Sequence, residues 1–234
     1  MITVYPYHTL GHANHGWLDA RHHFSFARYW NPNRVAFGTL RVINDDRVAA
    51  GAGFGEHPHD NMEIITYVRQ GAITHKDTMG NEGRTGAGDV QVMSAGSGVA
   101  HAEYNLEDED TRLYQIWIEP NARDVAPRWD ARAFPKLPVE DALPVLVSGR
   151  DEHADQQPLF IHQDAAIFGG TLKAGTVIEQ PIKHQAYVLA SRGRFHVNGV
   201  HLTQGDGAEV VGDRVLRIEA LDEAEILIID VPVH

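Results

Sequence analysis

The 234-residue sequence contains no cysteine, which excludes disulfides, thiolate metal sites and cysteine nucleophiles together. Any metal site must be built from nitrogen and oxygen. Positive charge is also scarce: 20 Lys and Arg stand against 32 Asp and Glu, a formal net charge of -12. Nucleic-acid binding rests on neutralising phosphates with Lys and Arg, and no local basic patch compensates, so direct contact with nucleic acid is not expected. No apolar stretch approaches the length that spans a bilayer. The opening residues Met1-Ile2-Thr3-Val4-Tyr5 lack the basic segment and apolar run of a signal peptide. The cytoplasm is therefore the expected location, with no membrane association. Long helical periodicity is missing as well.

What the sequence does contain is strand pattern. Hydrophobic residues make up 43% and charged residues 22%, the composition of a chain folded throughout. From Phe37 onward, short alternating or apolar runs are punctuated by Gly, Asn and Asp, as in antiparallel strands and their turns. Examples are Glu63 to Val68, Leu113 to Ile118, Gln185 to Ala190, Arg194 to Val197 and Ile226 to Val231. Asn198-Gly199, between Val197 and Val200, is the strongest hairpin signal, because a type I′ turn needs positive φ at both central residues.

Five prolines between Pro120 and Pro144 interrupt this pattern, so residues 121–144 read as a linker. The expectation is an N-terminal domain over 1–120 and a C-terminal domain over 145–234. A weak internal repeat supports two similar halves: Tyr67-Val68 leads to Gly88-Asp89, and Tyr187-Val188 leads in the same style to Gly205-Asp206. Counting within the repeat sets His57, His59 and Glu63 against Val177, Glu179 and Lys183, and His101 and Glu103 against Ile218 and Ala220. The second half has no ligand set.

The first half does. His57-Pro58-His59 places two imidazoles two residues apart, and His101-Ala102-Glu103 does the same for an imidazole and a carboxylate. On a strand, i and i+2 share a face, so two facing strands would present four ligands to one point. Such a set suits zinc, iron, manganese, nickel or copper, and around a six-coordinate ion it leaves two positions free. A lone His-x-His is common on surfaces; the combination carries the argument. Gly51, His57, His59, Glu63 and Gly71 follow the first cupin motif, and Gly88-Asp89, Gly98, His101 and Asn105 follow the second. One extra residue separates Glu63 from Gly71, and the proline usual in the second motif is absent.

His-Ala-Glu at 101 to 103, Gly11-His12-Ala13-Asn14-His15-Gly16-Trp17-Leu18-Asp19 and His23-Phe24-Ser25-Phe26-Ala27 make the first 120 residues resemble the pirins, a family of the cupin superfamily. The resemblance implies an all-β fold of two cupin-type antiparallel barrels, the second degenerate. It also implies one divalent transition metal held by His57, His59, His101 and Glu103, with Fe(II) expected ahead of Zn, Mn, Ni, Cu or Co. Glu63 becomes an alternative ligand, or a carboxylate that receives the other ring N–H of a metal-bound histidine. The histidines at 8, 12, 15, 22 and 23 read as a packed structural segment rather than a second metal site. Phe24, Phe26, Phe37, Phe54 and Met93 read as barrel core, with room for some of them to line a pocket for a flat aromatic ligand.

Bacterial pirins of this kind cleave quercetin-type flavonols with dioxygen, which implies a quercetin 2,3-dioxygenase with a flavonol and O2 as substrates and Glu103 as proton acceptor. The alternative implied by eukaryotic pirins is a non-catalytic, redox-sensing protein that binds a transcription regulator or metabolic enzyme; the acidic charge favours a protein partner over DNA. A closed apolar pocket beside the metal would favour the enzyme, and an exposed mixed surface the binding protein. A monomer is the expected state.

Overall fold

The computed structural model describes residues 1–234 and divides into two compact units. The histidine unit comprises Gly11–Phe134 and Leu159–Gln163, and the companion unit Met1–Leu10, Pro135–Pro158 and Asp164–His234. Nearly all regular structure is strand. In chain order these are β1 (Ile2–Tyr5), β2 (Gly11–Asn14), β3 (Leu18–His22), β4 (Leu40–Val48), β5 (Gly53–His59), β6 (Glu63–Gln70), β7 (Ala72–Asp77), β8 (Glu82–Gly86), β9 (Val90–Ser94), β10 (Val99–Tyr104), β11 (Thr111–Ile118) and β12 (Arg128–Arg132). They continue as β13 (Val145–Ser148), β14 (Leu159–Phe160), β15 (Ala166–Leu172), β16 (Val177–Pro181), β17 (Gln185–Arg192), β18 (Arg194–Val197), β19 (Val200–Thr203), β20 (Gly207–Val210), β21 (Val215–Ala220) and β22 (Ala224–Val231). No helix is long and apolar enough to cross a membrane.

Each unit is a cupin-type β-sandwich barrel of a long sheet and a shorter one. In the histidine unit the long sheet runs β12-β9-β6-β11-β4-β3-β2 and the short one β5-β10-β7-β8. In the companion unit the orders are β1-β20-β17-β22-β15-β13 and β16-β21-β18-β19. The internal repeat is thus a repeat of topology: β9-β6-β11-β4 matches β20-β17-β22-β15, and all four strands of the short sheets correspond in order.

Strand formation follows the sequence. β6 and β11 are central and buried on both faces, which is why Ile64, Ile65, Tyr67, Val68, Leu113, Tyr114, Ile116 and Ile118 read as apolar runs and not as alternation. Burying each of these large side chains contributes about 1.5–3 kcal/mol. β16 and β21, covered on one face only, alternate exposed and buried positions. The turn at Asn198-Gly199 has φ of 47° and 81° and joins β18 to β19 with Val197 opposite Val200, as the hairpin signal predicts.

Two domain boundaries move. Residues 1–10 lie in the companion unit, because β1 pairs with β20, Ile2 opposite Val210 through Tyr5 opposite Gly207. Position in the sequence gave no hint of a pairing 208 residues away. The expected linker also carries structure: β12 extends the histidine unit's long sheet, Arg128 opposite Ser94 through Arg132 opposite Val90. Pro127 and Pro135 flank this edge strand without interrupting it, the placement proline tolerates in a sheet.

Candidate metal centre

β5 and β10 run antiparallel with His101 opposite His57 and Val99 opposite His59. Along β10 the buried residues are Val99, His101 and Glu103, with Ala100 and Ala102 less covered between them. That alternation turns His101 toward the same interior that receives His57 and His59. The three ring centroids lie 4.6–5.1 Å apart, and His57 Nε2 stands 3.1 Å from His101 Nε2. One ring nitrogen from each histidine lies within 4.8 Å of the other two.

The protonation of this cluster suits a metal. His57 Nδ1 is 2.7 Å from the Gly55 carbonyl oxygen; a carbonyl only accepts, so the ring proton sits on Nδ1 and the Nε2 lone pair faces the cluster. Burial, reinforced by His57, lowers His59 to about 4. Burial, then His57, His59 and His75, lowers His101 to about 3. Both rings are neutral at physiological pH, the state that binds a metal. Three converging imidazoles with no thiolate in the chain form a donor set for a divalent first-row ion.

Glu103 lies within 4.8 Å of His101 and of His75, in a second group that shares His101 but includes neither His57 nor His59. Gln91 Nε2 donates to its Oε1 at 2.7 Å and Gln115 Nε2 to its Oε2 at 3.2 Å, with Thr66 Oγ1 at 3.3 Å. Burial pushes its carboxyl up to about 7, against the pull of the Thr66 and Gln91 hydrogen bonds. Glu63 is placed elsewhere. It is buried in the long sheet, where Ser94 Oγ donates to its Oε2 at 2.7 Å and the His162 backbone N–H also supports it, and it joins neither imidazole cluster. The acceptor for the far ring N–H of His57 is a main-chain carbonyl instead.

Beside His57 and His59 lies a cavity of about 220 Å³. Its apolar wall is Leu18, Ala20, Phe26, Phe54 and Trp117; His22, Asn44, Asp46 and Gln115 supply polar groups. Phe26 meets Trp117 edge-to-face at 5.5 Å, and Trp117 meets His59 likewise at 5.0 Å. Phe24, Phe37 and Met93 are core as expected, but Phe26 and Phe54 are only half-buried cavity walls. Asp46 is buried with Oδ1 lacking a hydrogen-bond partner. Burial first, then Asp45 and Glu103, raises its carboxyl well above the usual range.

Comparison with known proteins places the chain as a whole. The pirin family model matches residues 4–118, and a model of the quercetinase C-terminal cupin domain matches residues 145–231. A pirin-like protein of Caulobacter vibrioides is 51% identical over 232 residues, 98% of this chain and 99% of that protein. The chain belongs to the pirin family. A quercetin 2,3-dioxygenase of Escherichia coli is 40% identical over 235 residues, 99% of each chain. The solved structure of the bacterial pirin YhhW of Escherichia coli in complex with nickel(II) superposes with a TM-score of 0.91 at 38% identity, covering 100% of both chains.

Several residues of the cavity wall were not read from the sequence as such. His22, Asn44, Asp46, Gln115 and Trp117 come from β3, β4 and β11, and only the sheet order brings these strands to one cavity. His75 and Asp77 did carry a signal: they repeat the i, i+2 spacing of His57 and His59 on the next strand.

Proposed function

We propose that the chain is a metal-dependent dioxygenase that opens the central ring of quercetin-type flavonols with O2 and releases carbon monoxide. The observation that carries this reading is the largely apolar cavity against His57 and His59, which suits a flat aromatic ligand; the open, mixed depression on the other side of His59, lined by Pro58, Asp60, Thr78 and Ser97, is where a protein partner would dock in the alternative reading. Relatives named quercetin 2,3-dioxygenase support it.

In this reading His57, His59, His101 and Glu103 hold one divalent ion, Fe(II) being the first candidate and nickel, as in the YhhW complex, the second. When bound, the metal supplies Lewis acidity that lowers the pKa of a substrate hydroxyl. Phe26, Phe54 and Trp117 clasp the aromatic rings and exclude water. Glu103 is the carboxylate that would take that hydroxyl's proton, by loosening to one oxygen on the ion. Gln91 and Gln115 keep its carboxyl in place as it accepts the hydroxyl proton. The cavity is small for a drug-sized ligand, whose sites span roughly 300–1,000 Å³. Part of the flavonol therefore reaches past His22 into the adjoining depression lined by His12, His15, Arg28 and Tyr29, which shares His22.

The test is elemental analysis of the purified protein with quercetin and O2 consumption, for wild type beside His59→Ala and Glu103→Gln. About one equivalent of metal and turnover in wild type, both lost in His59→Ala, is the expected result, with Glu103→Gln losing turnover more than metal. Metal without turnover would transfer the reading to a redox-sensing binding protein. Absence of metal after anaerobic iron loading and after nickel loading would overturn the ligand set.

A further inference from the structure

Behind His101, on the side away from His57 and His59, stands a second imidazole that the proposed reaction does not use. His75 is fully buried, and its Nδ1 lies 3.3 Å from His101 Nδ1. Its other nitrogen, Nε2, lies 2.8 Å from Asp77 Oδ2, and both of these side chains have 0% exposure. Asp77 is held in turn: the backbone N–H groups of Met79 and Asn81 donate to its Oδ1 at 2.9 and 3.0 Å, and Asn81 Nδ2 donates to its Oδ2 at 3.0 Å. The indole of Trp129 stacks on His75 at 4.9 Å with planes 8° apart. Gly83 makes room for it, since a Cβ there would stand 2.4 Å from the Trp129 ring.

On the Asp77 side this arrangement admits one direction of hydrogen bonding. Asp77, supported by three donors, accepts at Oδ2, so His75 carries its proton on Nε2. His75 Nδ1 is then an acceptor, and the contact with His101 is bonded only if His101 carries its proton on Nδ1. That leaves the His101 Nε2 lone pair pointing at His57 and His59. His57 Nε2, 3.1 Å away, is a competing acceptor for the one His101 proton, but His57 is only half-buried and solvent can reach its side of the ring, whereas His75 is fully buried with no other donor at Nδ1. The alternative tautomer would satisfy His57 but set the His101 and His75 lone pairs against each other on the fully buried side, where no water can serve them and an unmade hydrogen bond costs about 1–3 kcal/mol.

The companion unit supplies an internal control. On β10 and β7 the register pairs His101 with Asp77 and Glu103 with His75. On β21 and β18 the same register pairs Ile218 with Val197 and Ala220 with Phe195. Where the imidazole cluster is missing, the His–Asp pair is missing too, and apolar side chains fill its place.

We propose that Asp77 and His75 are positioning residues for His101: a one-way chain of N–H donors, His101 to His75 to Asp77, sets the tautomer and the ring orientation in which His101 Nε2 is free to bind the metal. The inference rests on the metal-site reading above, yet one of its consequences needs no metal. Partners of this kind typically contribute 10–100-fold to metal affinity.

The test uses the full chain, labelled with 15N in histidine, and two measurements. Long-range 1H–15N correlation spectra of metal-free protein report the tautomer of His101, assigned by comparison with His101→Leu. Titration with Ni(II) reports affinity. Wild type should show His101 protonated on Nδ1. His75→Phe, which installs the residue the companion unit carries there, should lose that single tautomer and bind Ni(II) roughly 10–100-fold more weakly. Asp77→Asn, whose amide can either donate or accept, should give a mixture of tautomers and an intermediate loss, and His75→Gln, which keeps a carbonyl acceptor, should recover part of the affinity. An Nε2–H tautomer in wild type, or His75→Phe and Asp77→Asn variants that keep both tautomer and affinity, would overturn the proposal. Wild type with the expected tautomer but no Ni(II) binding would count against the metal site and leave the chain of donors standing.

Discussion

The two units place different chemistry on one backbone plan. In the histidine unit, the inward residues of β10 and β7 are His101, Glu103, His75 and Asp77; at the matching register of β21 and β18 they are Ile218, Ala220, Phe195 and Val197. Opposite them, His57 and His59 of β5 face inward in one unit, and Ile178 and Gln180 of β16 are the buried residues in the other. The companion interior closes into one apolar cluster that includes Ile178, Phe195, Val197, Leu216, Ile218 and Ala220. The histidine unit has buried apolar residues too, such as Leu40, Ile43, Ile65, Ile116 and Ile118, but it keeps a cavity beside His57 and His59. A barrel can fill its interior with side chains or keep it open for a ligand, and here one unit does each.

The comparison predicts where each unit is vulnerable. Phe195 is fully buried in the companion cluster, so Phe195→Ala should lower stability by about 3–5 kcal/mol, read as a fall in the urea midpoint of far-UV circular dichroism. A loss below about 1 kcal/mol would mean that the apolar filling is not what holds this unit together.

In the histidine unit a smaller change of opposite sign is expected. Asp46 is buried with one carboxyl oxygen unpartnered, and such a group costs about 1–3 kcal/mol. Asp46→Leu should therefore raise the urea midpoint while weakening binding of a hydroxylated aromatic ligand. A variant both less stable and unaltered in binding would show that Asp46 is an ordinary structural residue.

The smallest expected signal is the pH response of the metal-free protein. His59 and His101 are held at about 4 and about 3 against an ordinary 6.5, so their contribution is present above 6.5 and is lost as pH falls through their folded values. Glu103, held at about 7 against 4.5, acts oppositely: its contribution is full below 4.5 and lost as pH rises through about 7. Between 4.5 and 6.5 these two histidine protons outweigh the one of Glu103, so the contribution of this cluster falls on acidification, and more steeply below 4.5, while the raised carboxyl of Asp46 works against it. Thermal melting from pH 7 to 4 should show a fall of a few degrees, roughly, that is shallower in His101→Leu; equal slopes would mean that these imidazoles are not held neutral by the fold.

Much of this was legible in the chain. The strands around Glu63 to Val68 and Ile226 to Val231 declared themselves because both faces are buried, and the Asn198-Gly199 turn because few residues accept positive φ. His57, His59 and His101 were legible as candidates because a two-residue spacing on a strand guarantees a common face. Counting within the repeat worked for His101 and Glu103, whose counterparts Ile218 and Ala220 share their register. It slipped by one on β16, where Ile178 and Gln180, not Val177 and Glu179, face inward, since one shifted residue sends every side chain of a strand to the opposite face.

The sequence by itself determined the local facts: which segments become strands, which pairs of side chains share a face, and that no thiol takes part. Only the tertiary structure decided the neighbours of those pairs. It sent Glu63 to Ser94 and away from the imidazoles, set His75 and Asp77 behind His101, drew Asp46 and Trp117 to one cavity wall, and gave residues 1–10 to the companion unit. The physical reason is that strand periodicity is a property of consecutive residues, whereas strand order is settled by burial and hydrogen bonding between segments far apart in the chain.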